Sequence, residues 1–340
     1  MRTRLPARCT LLAAAALAAA LTWGERTAIA EVREISIAQQ FGVPFLPLIV
    51  MRNGKLIERH AEKLGVGPLK VTWNTFGSGA DMNVALISGT LDFASGGVAP
   101  VLQIWDRTRG NLAVKGVASL GSLPLYLNTI NPKVKTLRDF TSADRIALPA
   151  VRVSIQALVL QMAASQTFGN GKQDTLDRLT VTLNHPQALV ALLSGTEITA
   201  HFGTAPFQEQ ELKDSRVRRV LSSYDVLGGP STLNSLYTTS RFRADNPKVF
   251  AAVLAALREA MGLINRDKAW AAKLYTEEEK VKFDPALVHA IISSPDFDFT
   301  VTPRAVMKFA DFMFGIKMIK ERPASWKDVY FPELHAEAGS

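Results

Sequence analysis

The sequence predicts an α/β protein built from two similar lobes, and two observations carry that prediction. Residues 84–100 (VALISGTLDFASGGVAP) and 190–206 (VALLSGTEITAHFGTAP) align without a gap at an offset of 106, with 10 of 17 positions identical. The identities include the Ser-Gly-Thr turn and a later Gly-x-Ala-Pro, so one helix–turn–strand–loop is written twice. Around both copies, short β-branched runs alternate with segments of helical periodicity, the pattern of α/β folds. Two facing lobes enclose a cleft, where a small molecule would sit.

Residues 1–30 stand apart from the fold. Arg2, Arg4 and Arg8 precede a Leu/Ala run over 11–21, and Ala28-Ile29-Ala30 offers a small-x-small cleavage site. This is the pattern of a secretory signal peptide, and the run falls short of the ~20 residues a spanning helix needs. The only cysteine, Cys9, lies before that run, so the chain from Glu31 onward has neither disulfides nor thiolate chemistry.

The mature chain opens with alternating β-branched residues over 34–38, a strand. A loop at 39–42 leads into a helix over 44–64, with its prolines in the first turn where they are tolerated. Residues 69–74 read as a strand, 80–88 as a helix ending near Gly89, and 91–94 as a short strand that opens into Ser95-Gly96-Gly97. The pattern restarts with a strand at 145–148, a helix at 154–167, a strand at 179–183, a helix at 185–193 and a strand at 198–202. Two similar segments, 125–129 (LYLNT) and 236–240 (LYTTS), follow the two copies and read as strands placed to carry the chain between lobes. From Pro247 the chain is mostly helical. Phe250, Val253, Leu254, Leu257, Met261 and Ile264 keep i+3/i+4 spacing on one buried face. A second helix is expected over 303–321 and a polar turn over 323–328, with the tail folded back on the first lobe.

Composition narrows the function. Hydrophobic residues make up 47% and charged residues 21%, which suits a globular chain with a real core. Residues 1–30 hold four arginines and one glutamate, so +3 of the formal +8 leaves with them and +5 remains. No Lys/Arg cluster tracks a phosphate backbone, which argues against nucleic acid. No P-loop, G-x-S-x-G, dinucleotide fingerprint or H-E-x-x-H is present. The five histidines (His60, His185, His201, His289 and His335) show no metal-like spacing. The sequence points to no catalytic residue, metal or cofactor.

Strand-to-helix loops supply the candidate binding residues, since ligands in open α/β sheets bind beyond the carboxyl ends of strands and helix N-termini favour anions there. The loops contribute Gln40 and Phe41; Phe76, Gly77, Ser78 and Gly79; Ser95 and Gly97; Arg152 and Ser154. The second copy adds His201 and Thr204. Gly77 and Gly79 let backbone approach a ligand. Ser78 and Ser154 can cap their helices, and Phe41 and Phe76 can wall the cleft.

The signal peptide, Phe76-Gly77-Ser78-Gly79, Ala85-Leu86-x-Ser88-Gly89-x-Leu91-Asp92 with its echo Ala191-Leu192-x-Ser194-Gly195, Asn246-Pro247 and Ser325-Trp326-Lys327-Asp328 together resemble the periplasmic substrate-binding proteins of ABC importers. The similarity is to the nitrate/sulfonate/taurine-type group, which also includes thiamine-precursor binders. It implies a two-lobed periplasmic-binding-protein type II fold, with two mixed sheets flanked by helices and joined by a double-strand hinge. The first lobe would comprise 31–121 and 237–340, and the second 122–236. It further implies a non-enzymatic monomer in the periplasm that binds a small polar or anionic solute and hands it to an inner-membrane permease. One departure is Ile198, which stands where the first copy has Asp92. An enzyme of precursor metabolism and an exported sensor module are the competing readings.

Overall fold

The computed structural model describes residues 31–279 and 282–340; the expected signal segment lies outside them. Strand β1 (Glu34–Gln39) pairs in parallel with β2 (Lys70–Thr75). Between them, the helix expected over 44–64 is two helices, α1 (Leu46–Asn53) and α2 (Leu56–Lys63). The break comes at Gly54, a poor helix former, and at Lys55, whose φ of 46° is left-handed. Helix α3 (Gly79–Ile87) leads to β3 (Ala94–Gly97), so Ser95, Gly96 and Gly97 belong to the strand itself and not to a loop after it. Helix α4 (Val98–Thr108) and β4 (Lys115–Ser119) follow.

The second sheet takes β5 (Tyr126–Thr129), β6 (Ile146–Leu148), β7 (Thr180–Thr182), β8 (Ala200–Phe202) and β9 (Arg218–Ser222). Its helices are α5 (Ile155–Phe168), α6 (His185–Ser194), α7 (Phe207–Glu211) and α8 (Ser223–Leu227). Strand β10 (Asn234–Thr238) returns to the first sheet, between β3 and β4. The rest is helical: α9 (Ser240–Asp245), α10 (Pro247–Arg266), α11 (Lys268–Glu278), α12 (Pro285–Ser293), α13 (Val306–Gly315) and α14 (Trp326–Val329). Helix α13 is shorter than the 303–321 expected, because Ala305 (φ 56°) opens it and Lys317 (φ 60°) follows its end. Among the described residues no helix is long and apolar enough to cross a membrane.

The duplication runs deeper than the repeated segment. The second sheet has the order β7-β6-β8-β5-β9. In the first, β2 pairs β1, β3 touches β1 through Ile37 and Phe93, and β10 joins β3 to β4. Both sheets therefore have one topology, with parallel strands at one side and an antiparallel insert at the other. The inserts are β10 and β5, the two LY-containing segments. They are not the crossings themselves; each lies inside one sheet, paired on both edges.

The crossings are residues 120–125 and 228–233. They pair with each other through Ser122 and Thr232 and through Leu233 N–H donating to Gly121 O at 3.1 Å. A third segment flanks this pair, with Ser122 N–H donating to Asp298 O and Asp298 N–H to Ser122 O at 2.8 and 3.0 Å. The boundary expected at 236/237 falls inside β10, whose pairing in the first sheet starts at Asn234.

Asp92 has a structural task. Its Oδ2 accepts from Ser36 N–H at 2.8 Å and Ser36 Oγ at 2.9 Å, tying β1 to the chain entering β3. In the second sheet the bond is made with the groups exchanged: Asp144, just before β6, accepts from Thr199 Oγ1 at 2.9 Å, just before β8. Burial opposes ionisation of Asp144, yet the Thr141 N–H, Asn131 and Thr199 more than offset it, and its carboxyl sits below the ordinary value. Ile198 instead enters the apolar cluster behind the sheet, so its apolar character reflects a relocated acid. Asp92→Ala is expected to cost about 1–3 kcal/mol, because it orphans the Ser36 donors; chemical denaturation of the two proteins checks it.

Candidate ligand cleft between the lobes

Four helices begin at one small space between the two sheets. Gly79 is the first residue of α3, Gly97 the N-cap of α4, Ser154 the N-cap of α5 and His185 the first residue of α6. All four line a cavity of about 30 Å³. Gln40, Phe41, Pro44, Phe45 and Pro100 complete the first lobe's side. Ile155, Gln156 and Thr204 complete the second, Leu233 comes from the crossing and Asn234 from the start of β10. No Asp, Glu, Lys or Arg is among these residues. The field there comes from the helix ends, each with unsatisfied N–H groups and partial positive charge.

The lobes touch above this cavity. Val43 N–H donates to Ala205 O at 2.9 Å. A Cβ on Gly97 would lie 2.7 Å from Ile155 Cβ. One water fills ~10–15 Å³ on this scale, so a solute of more than a few heavy atoms enters only if the lobes part. Outside lies a larger recess of about 370 Å³, lined by Gly77, Ser78, Ala80 and Asp81 on one side and by Pro149, Ala150, Val151 and residues near Asn184 on the other.

The structure distributes the expected residues over these two spaces. Gln40, Phe41, Gly79, Gly97, Ser154 and Thr204 line the inner cavity. The Thr204 Oγ1 is sealed from solvent without a hydrogen-bond partner, which leaves it available to a ligand. Gly77 and Ser78 line the outer recess instead. Ser78 Oγ donates to Asp81 Oδ2 at 2.8 Å and accepts from Asp81 N–H, so it caps α3. Ser154 caps α5 by accepting from Ala157 N–H while also facing the cavity. Phe76 packs against the core. Ser95 is buried and donates to Ala38 O, locking β3 to β1. Arg152 (φ 62°) pairs with Asp177 at 3.4 Å with most of its side chain in solvent, so it lines neither space.

His201 is fully buried behind the cavity rather than in its wall. Its Nε2 lies 2.9 Å from His185 Nδ1, and its Nδ1 2.5 Å from Glu211 Oε1. Glu211 also accepts from Asn128 Nδ2 at 2.9 Å, and His185 Nε2 meets Gln156 Nε2 at 3.3 Å. The front residue, His185, is not among the residues the sequence offered, whereas its neighbour Gln156 closes the strand-to-helix loop over 152–156 that the sequence did offer. The repeat contains the signal: continued upstream at the same offset of 106, it matches Ser78 with Asn184 and Gly79 with His185, two caps and two first residues.

Beside this chain, burial pushes the Glu209 carboxyl up to about 7; its Oε2 is sealed and unpartnered. A raised acid favours the folded state below its unfolded value, and that contribution is lost as pH rises through the folded one. Glu209→Gln is therefore expected to raise stability at pH 8.5 by ~1–3 kcal/mol and to change little at pH 4.5. Melting curves of both proteins at the two pH values check it.

No protein-family model matches the chain, and no curated protein matches it. Solved structures do. The alkanesulfonate-binding protein SsuA from Xanthomonas axonopodis pv. citri bound to MOPS is similar at 19% identity, with a TM-score of 0.69 over 88% of this chain and 99% of that one. The periplasmic aliphatic sulphonate binding protein SsuA from Escherichia coli is 16% identical, with a TM-score of 0.63 over 90% and 100%. The periplasmic nitrate-binding protein NrtA from Synechocystis PCC 6803 is 15% identical, with a TM-score of 0.60 over 77% and 70%. At these identities the likeness establishes the fold, which is the periplasmic-binding-protein fold of two mixed sheets flanked by helices.

Proposed function

We propose that the protein is an exported solute-binding protein that closes its two lobes on a small polar or anionic solute of the sulfonate, taurine or nitrate class. It then delivers that solute to an ABC permease in the inner membrane. The observation that carries this reading is the convergence of four helix N-termini on an interlobe cavity free of carboxylates. Such ends hold anions through backbone N–H groups. Gln40, Gln156, Thr204 and Asn234 add neutral hydrogen-bonding groups in the wall, suited to oxyanion oxygens and to a second polar group. The solved structures named for binding alkanesulfonate and nitrate share the fold and agree with this class. On this reading the first 30 residues are a cleavable signal peptide, and the protein acts as a non-enzymatic monomer in the periplasm.

Calorimetric titration with sulfonates, taurine, nitrate, aromatic acids and pyrimidines tests the proposal, beside mass spectrometry of ligand co-purified from the native source. Stoichiometric binding of one class without turnover is the expected result. No binding across the panel, or chemical conversion of any member, overturns it. N-terminal sequencing of the exported protein is expected to begin at Glu31.

A further inference from the structure

Among the residues that line the cavity, the only titratable side chain is His185. It heads a buried chain through His201 to Glu211, with residue exposures of 5%, 0% and 0%. With both rings uncharged the bonding has one consistent direction. Glu211 accepts from His201 Nδ1–H, and His201 Nε2 accepts from His185 Nδ1–H. His185 Nε2 then carries a lone pair and accepts from the Gln156 amide. The cavity end of the chain is thus a hydrogen-bond acceptor, the wrong character for an anion.

Several features keep a positive charge off the ring while the site is empty. Burial holds its pKa well below the usual histidine range. It is also the first residue of α6, where the helix end is itself positive. The titratable groups facing it are His201 from β8 and Glu211 from α7. Glu209 on α7 feels the charge of Glu211, and Tyr275 on α11 feels that of Glu209, so both belong to the same surroundings. Phe207 stacks on the ring at 5.8 Å, α5 presents Gln156, β5 presents Asn128, and β6 brings only Ile146, Ala147 and Leu148. An anion beside Nε2 reverses the balance, because no Lys or Arg in the wall competes to neutralise it.

Resting on the solute-capture reading above, we propose that an anion enters this cavity together with one proton, which adds to His185 Nε2. The proton comes from solvent and occupies the nitrogen lone pair, and no covalent bond breaks. The Gln156 amide turns its carbonyl oxygen toward the ring or yields to the anion. Glu211 holds the opposite end of the chain and shares the added charge through His201. The site thereby changes from acceptor to donor as it fills, and a neutral solute would leave it unchanged.

Isothermal titration of the purified protein with sodium nitrate, sodium methanesulfonate and taurine, in buffer pairs of unequal ionisation enthalpy between pH 5.5 and 8, tests this. The expected result is net uptake approaching one proton per bound anion, and affinity falling about tenfold per pH unit through the upper part of that range. His185→Gln is expected to abolish the uptake and flatten the profile while still melting cooperatively. The wild-type buffer dependence stands as a test even if that variant does not fold. Anion binding with no buffer dependence and a flat pH profile overturns proton capture and leaves solute capture standing, as does binding of neutral solutes alone. Binding of neither class overturns both.

Discussion

Gly97→Ala is expected to weaken solute binding by about 10- to 100-fold while hardly moving the melting temperature of the solute-free protein. The added methyl lands on Ile155 Cβ and Cγ2, at 2.7 and 2.8 Å. Gly97 ends β3 in the first lobe and Ile155 begins α5 in the second. On the lobe closure proposed above, the overlap exists only in the shut form, and an open molecule relieves it by staying open. Overpacking of this kind costs ~1–3 kcal/mol, and a penalty confined to the closed state appears wholly in affinity. Ile155→Ala in the same protein removes the obstructing methyls and is expected to restore most of the lost affinity. Titration calorimetry on both single variants and the double variant measures the coupling. Unchanged affinity in Gly97→Ala would separate closure from capture and sink the wedge argument.

The largest stability effect is expected in the same lobe, at Tyr330. Tyr330 is fully buried, its ring lies on Gly116 of β4 where any Cβ would overlap it, and its hydroxyl meets Ser235 Oγ at 2.6 Å. Phe331 N–H donates to Gly116 O at 2.9 Å, so the tail adds backbone pairing to the outer strand of the first sheet. Tyr330→Ala removes a buried aromatic ring and orphans the Ser235 hydroxyl, for an expected loss of ~3–5 kcal/mol. That corresponds to a melting temperature lower by roughly 10 °C in a chain of this size. Tyr330→Phe keeps the ring and is expected to lose only about 1 kcal/mol. Equal losses in the two variants would assign the effect to the hydroxyl and contradict the packing account.

The sequence carried the architecture further than the site. Gly97 and Gly203, the Ser-Gly-Thr turns and the two LY strands mark matching places in two sheets of one topology, because period and turn chemistry are local properties. Where the neighbours decide, the sequence alone does not place the side chain. Ser95 looks like a loop hydroxyl, but a carbonyl of β1 claims it inside the sheet. Arg152 looks like an anion ligand, but a left-handed backbone turns it toward Asp177. His185 and His201 are 16 positions apart, and only the packing of α6 against β8 sets their rings 2.9 Å apart. The break between α1 and α2 is legible in Asn53-Gly54-Lys55, since glycine is a poor helix former.

The exchanged acid has a consequence for recombination between the two halves. Ser36 and Asp92 in one sheet, and Asp144 and Thr199 in the other, make the same bond with the carboxylate contributed from opposite strands. A chimera that carried the β1 segment into the second lobe would face Thr199 with Ser36, two hydroxyls and no acid. The reciprocal graft would set Asp144 against Asp92, two carboxylates in one buried place, where like charges repel. The halves share a plan but have ceased to be exchangeable parts, and an engineered hybrid would need both members of each pair moved together.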